Sequence, residues 1–144
     1  MEKGKDRPSR VMIVDDDPNQ LDIMTRWLQR QGFEALAANS GAAALELLRN
    51  DEVDVILLDV MMPDMDGLTV CARLRENAVT RAIPVILLTA KDDIETRSQG
   101  MTLGVSEYIT KPVNKQQLLT RLQAQLHSRA LQRELAKTAA AIRK

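Results

Sequence analysis

Aromatic side chains are nearly absent from this chain, with one Trp, one Tyr and one Phe in 144 residues. A core must therefore come from Leu, Ile, Val, Met and Ala. Cysteine occurs once, at Cys71, which excludes an internal disulfide and suits a cytoplasmic protein. No apolar run approaches the roughly 18 residues that would cross a bilayer, so no membrane span is expected. Met1 to Arg10 are charged and have no hydrophobic stretch. That excludes a secretory signal and predicts a disordered leader over 1–10. Net charge is zero, but its distribution is uneven. Residues 11–110 carry 8 Lys/Arg against 17 Asp/Glu, and residues 111–144 carry 8 against 1. A basic tail of this kind is first a solvated helix face, and second a surface for an acidic partner.

What is present is a set of short apolar runs with charges at their ends. Val11-Met12-Ile13-Val14 runs into Asp15-Asp16-Asp17, and Val53-Asp54-Val55-Ile56-Leu57-Leu58 into Asp59. Glu107-Tyr108-Ile109-Thr110 runs into Lys111-Pro112. Such runs read as buried strands of a parallel sheet, and the functional crevice of an open parallel sheet lies beyond the carboxyl ends of its strands. Two unit charges 4 Å apart cost roughly 4 kcal/mol at an effective dielectric of about 20. Asp15, Asp16 and Asp59 together therefore call for a cation, and Lys111 supplies only one positive charge. A divalent ion with oxygen ligands completes the balance, which suits magnesium, with manganese as the second choice. Magnesium on carboxylates usually handles phosphate, so the constellation points to phosphoryl chemistry with an Asp nucleophile.

The chain resembles the receiver domain of two-component response regulators. The matching stretches are Val14-Asp15-Asp16-Asp17-Pro18, Leu58-Asp59-Val60-Met61-Met62-Pro63-Asp64-Met65-Asp66-Gly67, Leu88-Thr89-Ala90 and Tyr108-Ile109-Thr110-Lys111-Pro112. They stand in family order and spacing. The resemblance implies a flavodoxin-like, doubly wound five-stranded parallel sheet of order 2-1-3-4-5 with an extended C-terminal helix. It implies that Asp59 is the phosphoacceptor and that Asp15, Asp16, Asp59 and the Met61 carbonyl hold the metal, Asp16 directly and Asp15 through water. Lys111 then pairs with Asp59 and later with a phosphoryl oxygen. Thr89 donates its hydroxyl to that group, and Tyr108 is the aromatic whose rotamer follows. The Lys111–Pro112 bond is expected to be cis. Met61 and Lys91, two residues after Asp59 and Thr89, flank the site and would restrict an attacking water, implying a long phosphoryl lifetime.

Strand and helix signals alternate along the chain, which independently argues for a doubly wound α/β domain. Strands are expected at 11–15, 34–38, 53–58, 85–89 and 106–110. Asp17-Pro18 starts a helix with Leu21, Met24, Trp27 and Leu28 inward, and Gly32 ends it. Asp17 is read as a cap rather than a ligand. Ser40 caps a helix through Leu48 with Leu45, Leu47 and Leu48 inward. Asp64 and Asp66 are read as turn formers beside Gly67. Helices follow to about Glu76 and over about Asp93 to Leu103, the latter poor in apolar residues, with Gly104 as its stop. From Asn114 onward there is neither Gly nor Pro, and one helix to Lys144 would be about 45 Å long. Leu118, Leu119, Leu122 and Leu126 should pack on the sheet. Leu131, Leu135, Thr138 and Ile142 repeat at 4, 3 and 4 in a different frame, which reads either as a frayed, solvated tail or as a linker helix that pairs in a dimer or leads to an output domain. The expected division is leader 1–10, receiver 11–127 and helical extension 128–144.

The expected function is that of a phosphoacceptor switch. Asp59 takes a phosphoryl group from a partner histidine kinase or phosphotransfer protein, and the face of the fourth helix, fifth strand and fifth helix changes shape. The alternative is the receiver piece of a larger kinase, diguanylate cyclase or transcription factor. A magnesium-dependent phosphatase is the remote alternative, because the position two residues after Asp59 is Met61 where such enzymes need an acid. The switch is not expected to turn over an external substrate. Homodimers are expected through that changing face or through the C-terminal helix. Direct nucleic-acid reading is not expected, since the remainder after residue 126 is too short for a winged helix. His127 is expected on the surface and not as a phosphodonor.

Overall fold

The computed structural model describes residues 7–90 and 93–142, and of Ile142 only the backbone. Strands and helices alternate: β1 Arg10–Val14, α1 Pro18–Arg30, β2 Glu34–Ala38, α2 Gly41–Leu47 and β3 Val55–Asp59. Then come α3 Gly67–Glu76, β4 Val85–Thr89, α4 Ile94–Thr102, β5 Glu107–Thr110 and α5 Lys115–Ile142. The five strands form one parallel sheet in the order β2-β1-β3-β4-β5. Parallel neighbours require crossovers, and helices on both faces supply them.

Side chains alternate across each strand, so each central strand feeds two cores. Met12, Val14, Ile56, Leu58, Val85 and Leu87 face α2 and α3. Val11, Ile13, Val55, Leu57, Ile86 and Leu88 face α1 and α5, where Met24, Trp27, Leu28, Leu118 and Leu122 pack. Every residue of β3 and β4 is buried, which explains why these strands read as continuous apolar runs.

Helix starts follow the sequence chemistry. The Asp17 carboxylate accepts from the N–H groups of Asn19 and Gln20, with Pro18 in the first turn of α1. Ser40, Asp66 and Asp93 cap α2, α3 and α4 in the same way. Gly32 and Gly104 have φ of 95° and 77°, the left-handed conformation that ends a helix without a Cβ penalty.

Three expectations shift. β1 begins at Arg10, because its N–H donates to Asp54 Oδ2 at 2.8 Å and its guanidinium meets Glu34 and Asp51; residues 1–6 of the expected leader lie outside the described residues. In α2 the inward residues are Ala44 and Leu48, while Leu45 and Leu47 are only half-buried at the edge of the core. The third concerns α5. At about 100° per residue, Leu118, Leu122, Arg129 and Arg133 fall on one face of the helix. The inward stripe thus continues past Leu126 as arginines: Arg129 donates to Ala82 O at 2.9 Å and Arg133 to Asp54 Oδ1 at 2.8 Å. Leu131 and Leu135, 50% and 68% exposed, lie on the opposite face. The change of frame read from the leucines marks the end of the sheet beneath the helix. The helix itself stays tied to the domain for two more turns.

Candidate functional site

Three strand ends meet at the carboxyl edge of the sheet. Asp15 follows β1 directly, and its N–H donates to Ala38 O at the end of β2. Asp59 is the last residue of β3, in register with Leu88 of β4. Lys111 follows β5, and its N–H donates to Thr89 O at 2.8 Å, which fixes the β5 end beside the β4 end. The order that places β1 next to β3 makes the two acidic ends neighbours.

The carboxylates of Asp15, Asp16 and Asp59 lie within 4.8 Å of one another. Asp15 and Asp59 are buried and Asp16 is exposed. Lys111 Nζ reaches Asp59 Oδ1 at 2.8 Å, and the same oxygen accepts from the N–H of Met61 at 3.1 Å. Asp15 Oδ1 accepts from the N–H of Asp17 at 2.9 Å. Burial pushes the Asp15 carboxyl above its ordinary 3.8, and the charge of Asp59 adds to the rise; the Asp17 N–H and Lys111 pull the other way. Burial, more than the neighbouring charge, sets the direction, and the single ammonium of Lys111 does not offset it.

Thr89 is fully buried at the end of β4, and among the described residues nothing partners its hydroxyl. A buried hydroxyl without a partner is costly, and a native site that keeps one usually has a use for it. Gly67 completes the frame from below. A Cβ there would stand 2.7 Å from Asp59 O and 2.8 Å from Val60 Cα, so only glycine lets α3 start this close to the end of β3. The Met61 side chain is exposed and Asp64 sits at φ 67°, in the turn that carries the chain from Asp59 to α3. The Lys111–Pro112 bond is cis.

A family model, the response regulator receiver domain, matches residues 11–123. The chain belongs to this family. Protein PilH of Pseudomonas aeruginosa is 36% identical over 118 residues, covering 82% of this chain and 98% of PilH. The probable transcriptional regulatory protein TcrX of Mycobacterium tuberculosis is 38% identical over 126 residues, covering 88% of this chain but only 53% of TcrX. Against TcrX the chain therefore spans about half the relative's length. Among solved structures, the chemotaxis protein CheY4 of Vibrio cholerae superposes with a TM-score of 0.77 at 30% identity, covering 81% of this chain and 98% of CheY4. Receiver domains of two-component systems are signalling switches, and the order 2-1-3-4-5 is theirs. No helix among the described residues is long and apolar enough to cross a membrane.

In this receiver Asp15, Asp16, Asp59 and Lys111 converge, with Thr89 at the neighbouring strand end. Tyr108 stands apart. It is 37% exposed on β5, and the Arg97 guanidinium lies over its ring, 4.8 Å from the centroid. Arg97 also donates to the Thr110 hydroxyl. Lys91 lies outside the described residues. His127 is exposed on α5. Sequence reading missed Arg97 and the two backbone N–H donors, of Asp17 and Met61, because nothing in residue type announces a contact made by tertiary placement.

Proposed function

We propose that Asp59 is the phosphoacceptor of this receiver, charged by a histidine kinase or phosphotransfer protein with Mg²⁺, or Mn²⁺ in its place. The observation that carries the reading is the buried Asp59 carboxylate, held by Lys111 at 2.8 Å beside Asp15 and Asp16. Three carboxylates with one exposed member, one raised in pKa and only one ammonium nearby, fit a hard divalent cation. Asp15, Asp16, Asp59 and the Met61 carbonyl would hold it. Bound there, the ion supplies charge neutralisation for an incoming phosphoryl group.

The protein's own part is positioning and electrostatics. The Met61 N–H and Lys111 fix the Asp59 carboxylate. One Asp59 oxygen attacks phosphorus, the P–N bond of the phosphohistidine breaks, and the departing imidazole keeps the electron pair. Lys111 then follows the charge onto a phosphoryl oxygen. The Thr89 hydroxyl gains the acceptor it lacks at rest. Its movement toward the phosphoryl group frees the space into which Tyr108 turns, and the face of α4, β5 and α5 changes. Phosphorylation thereby biases a two-state element. Met61 offers no proton two residues after Asp59, so the site modifies itself rather than turning over an external ester.

Asp59→Asn tests the reading. The variant keeps the shape and loses the nucleophilic charge, and it should take up no acid-labile, hydroxylamine-sensitive label from acetyl phosphate and Mg²⁺ while the wild type does. Equal labelling of the variant would place the phosphoacceptor elsewhere.

A further inference from the structure

Helix α4 is held unusually lightly. Its one buried residue is Gly100, which lies against Leu87 and Val105, and its large apolar side chains Ile94 and Met101 face solvent. No leucine or isoleucine of α4 reaches the core, so polar contacts decide where the helix sits. Arg97 makes one that spans two residues. Its guanidinium lies over the Tyr108 ring, 4.8 Å from the centroid, and it donates to the Thr110 hydroxyl. Tyr108 and Thr110 share the α4 side of β5, since they are two residues apart on a strand whose Ile109 packs in the opposite core beneath α5. Thr110 is in register with Thr89 and directly precedes Lys111. One side chain on a loosely seated helix therefore grips the strand that ends in the Asp59 partner.

We propose that Arg97 is a positioning residue that holds Tyr108 outward in the resting state and so sets the threshold for phosphorylation at Asp59. The proposal rests on the phosphoacceptor reading above and names its regulation. A planar guanidinium can stack on a ring and donate at its edge at once, which a lysine ammonium cannot do. The contact over the ring exists only while Tyr108 points out, and the bond to Thr110 aims the guanidinium at that ring. The ring contact therefore stabilises the resting arrangement and not the switched one, and a contact of that kind moves a two-state equilibrium by its full differential worth. Removing it raises the fraction of molecules already in the arrangement that accepts the phosphoryl group.

Arg97→Gln should be labelled by acetyl phosphate about 2–5-fold faster than wild type at subsaturating donor, the range expected from losing one partly exposed cation–π contact. Its Mg²⁺ affinity should be unchanged, since Arg97 touches no carboxylate of the acidic cluster. Arg97→Lys, which keeps the charge but not the fork, should fall between the two. Tyr108 is the only tyrosine, so its ring resonances can be followed without ambiguity. In Arg97→Gln they should move toward their positions in the phosphorylated wild type. In a Tyr108→Leu background the Arg97→Gln acceleration should vanish, because the ring contact through which Arg97 acts is gone. Labelling of Arg97→Gln at the wild-type rate overturns the proposal, as does acceleration that persists without Tyr108. A wild type that takes no label at all defeats the phosphoacceptor reading instead; the Tyr108 ring shift still decides whether Arg97 holds the ring.

Discussion

At the scale of single residues, the site is a problem of charge placed where water is scarce. Asp15 shows the consequence most directly. Its carboxyl is raised above 3.8, first by burial and then by Asp59. Between 3.8 and the raised value the folded protein holds more protons than the unfolded chain, so stability falls as pH rises through that window. The penalty is absent below the window and complete above it. Asp15→Asn keeps the oxygen that accepts from the Asp17 N–H and removes the charge. In chelator at neutral pH the variant should therefore unfold at a higher temperature than wild type, and the difference should close below about pH 4. On the proposed metal site magnesium should reverse the order, since a ligand at 100 times its Kd stabilises the wild type by about 2.7 kcal/mol and the variant would lack one of the groups proposed to hold it. Thermal unfolding with EDTA and with Mg²⁺, across pH, checks all three statements. A variant less stable than wild type in EDTA at pH 7 would show that the Asp15 charge is compensated after all. The acidic residues were legible in the sequence because each stands at a strand end, where parallel-sheet geometry collects side chains whatever the rest of the fold does. Arg97 was not legible, because its partners Tyr108 and Thr110 lie on another element and only packing brings them under it.

At the scale of elements, legibility followed the clarity of the apolar pattern. β2 and β4 have the expected bounds, and α3 ends at Glu76 as read. β3 extends to Asp59 because ladder pairing with Leu88 continues beneath the charge, and pairing is invisible in composition. The change of frame in α5 was read rightly, since Leu131 and Leu135 do turn outward, but the polar contacts of the inward face were not legible. Periodicity in leucines reports burial in apolar surroundings, and it ends where the sheet ends, although the same face goes on making contacts through Arg129 and Arg133. The two halves of α5 should differ greatly in firmness. Leu118 and Leu122 are fully buried, and truncating such residues costs about 2–5 kcal/mol each. The Arg133–Asp54 pair is partly exposed, and pairs of that kind contribute about 0–1 kcal/mol. Amide exchange should accordingly be slow over 118–126 and fast over 131–142. Arg133→Ala should speed exchange in 129–142 and leave the global denaturant midpoint nearly unchanged. Equal protection along the whole helix, or no response to Arg133→Ala, would mean that something other than this arginine holds the distal turns.

At the scale of the whole molecule, two surfaces compete for a second copy. One is the distal face of α5, with Leu131 and Leu135 turned away from the domain. The other is the face of α4, β5 and α5, where Ile94 and Met101 of α4 and Tyr108 of β5 are exposed. Size separates them. Leu131, Leu135, Thr138 and Ile142 span under two heptads, so this stripe has little with which to pair constitutively. Stable interfaces bury about 1,200–2,000 Å² in total, which a lone helical stripe of this length does not approach. The α4–β5–α5 face is broader and contains the residues that the switch would move. The expected result is a monomer at micromolar concentration at rest. A phosphoryl mimic with Mg²⁺ should shift it to a dimer, and deletion of residues 128–144 should leave that shift intact. Sedimentation velocity on both chains, with and without the mimic, reads this directly. A dimer without the mimic that disappears on deletion would transfer the interface to the distal helix. A mimic-dependent dimer lost on deletion would mean that the two surfaces act together, with α5 carrying the change from the Asp59 edge of the sheet to its far end.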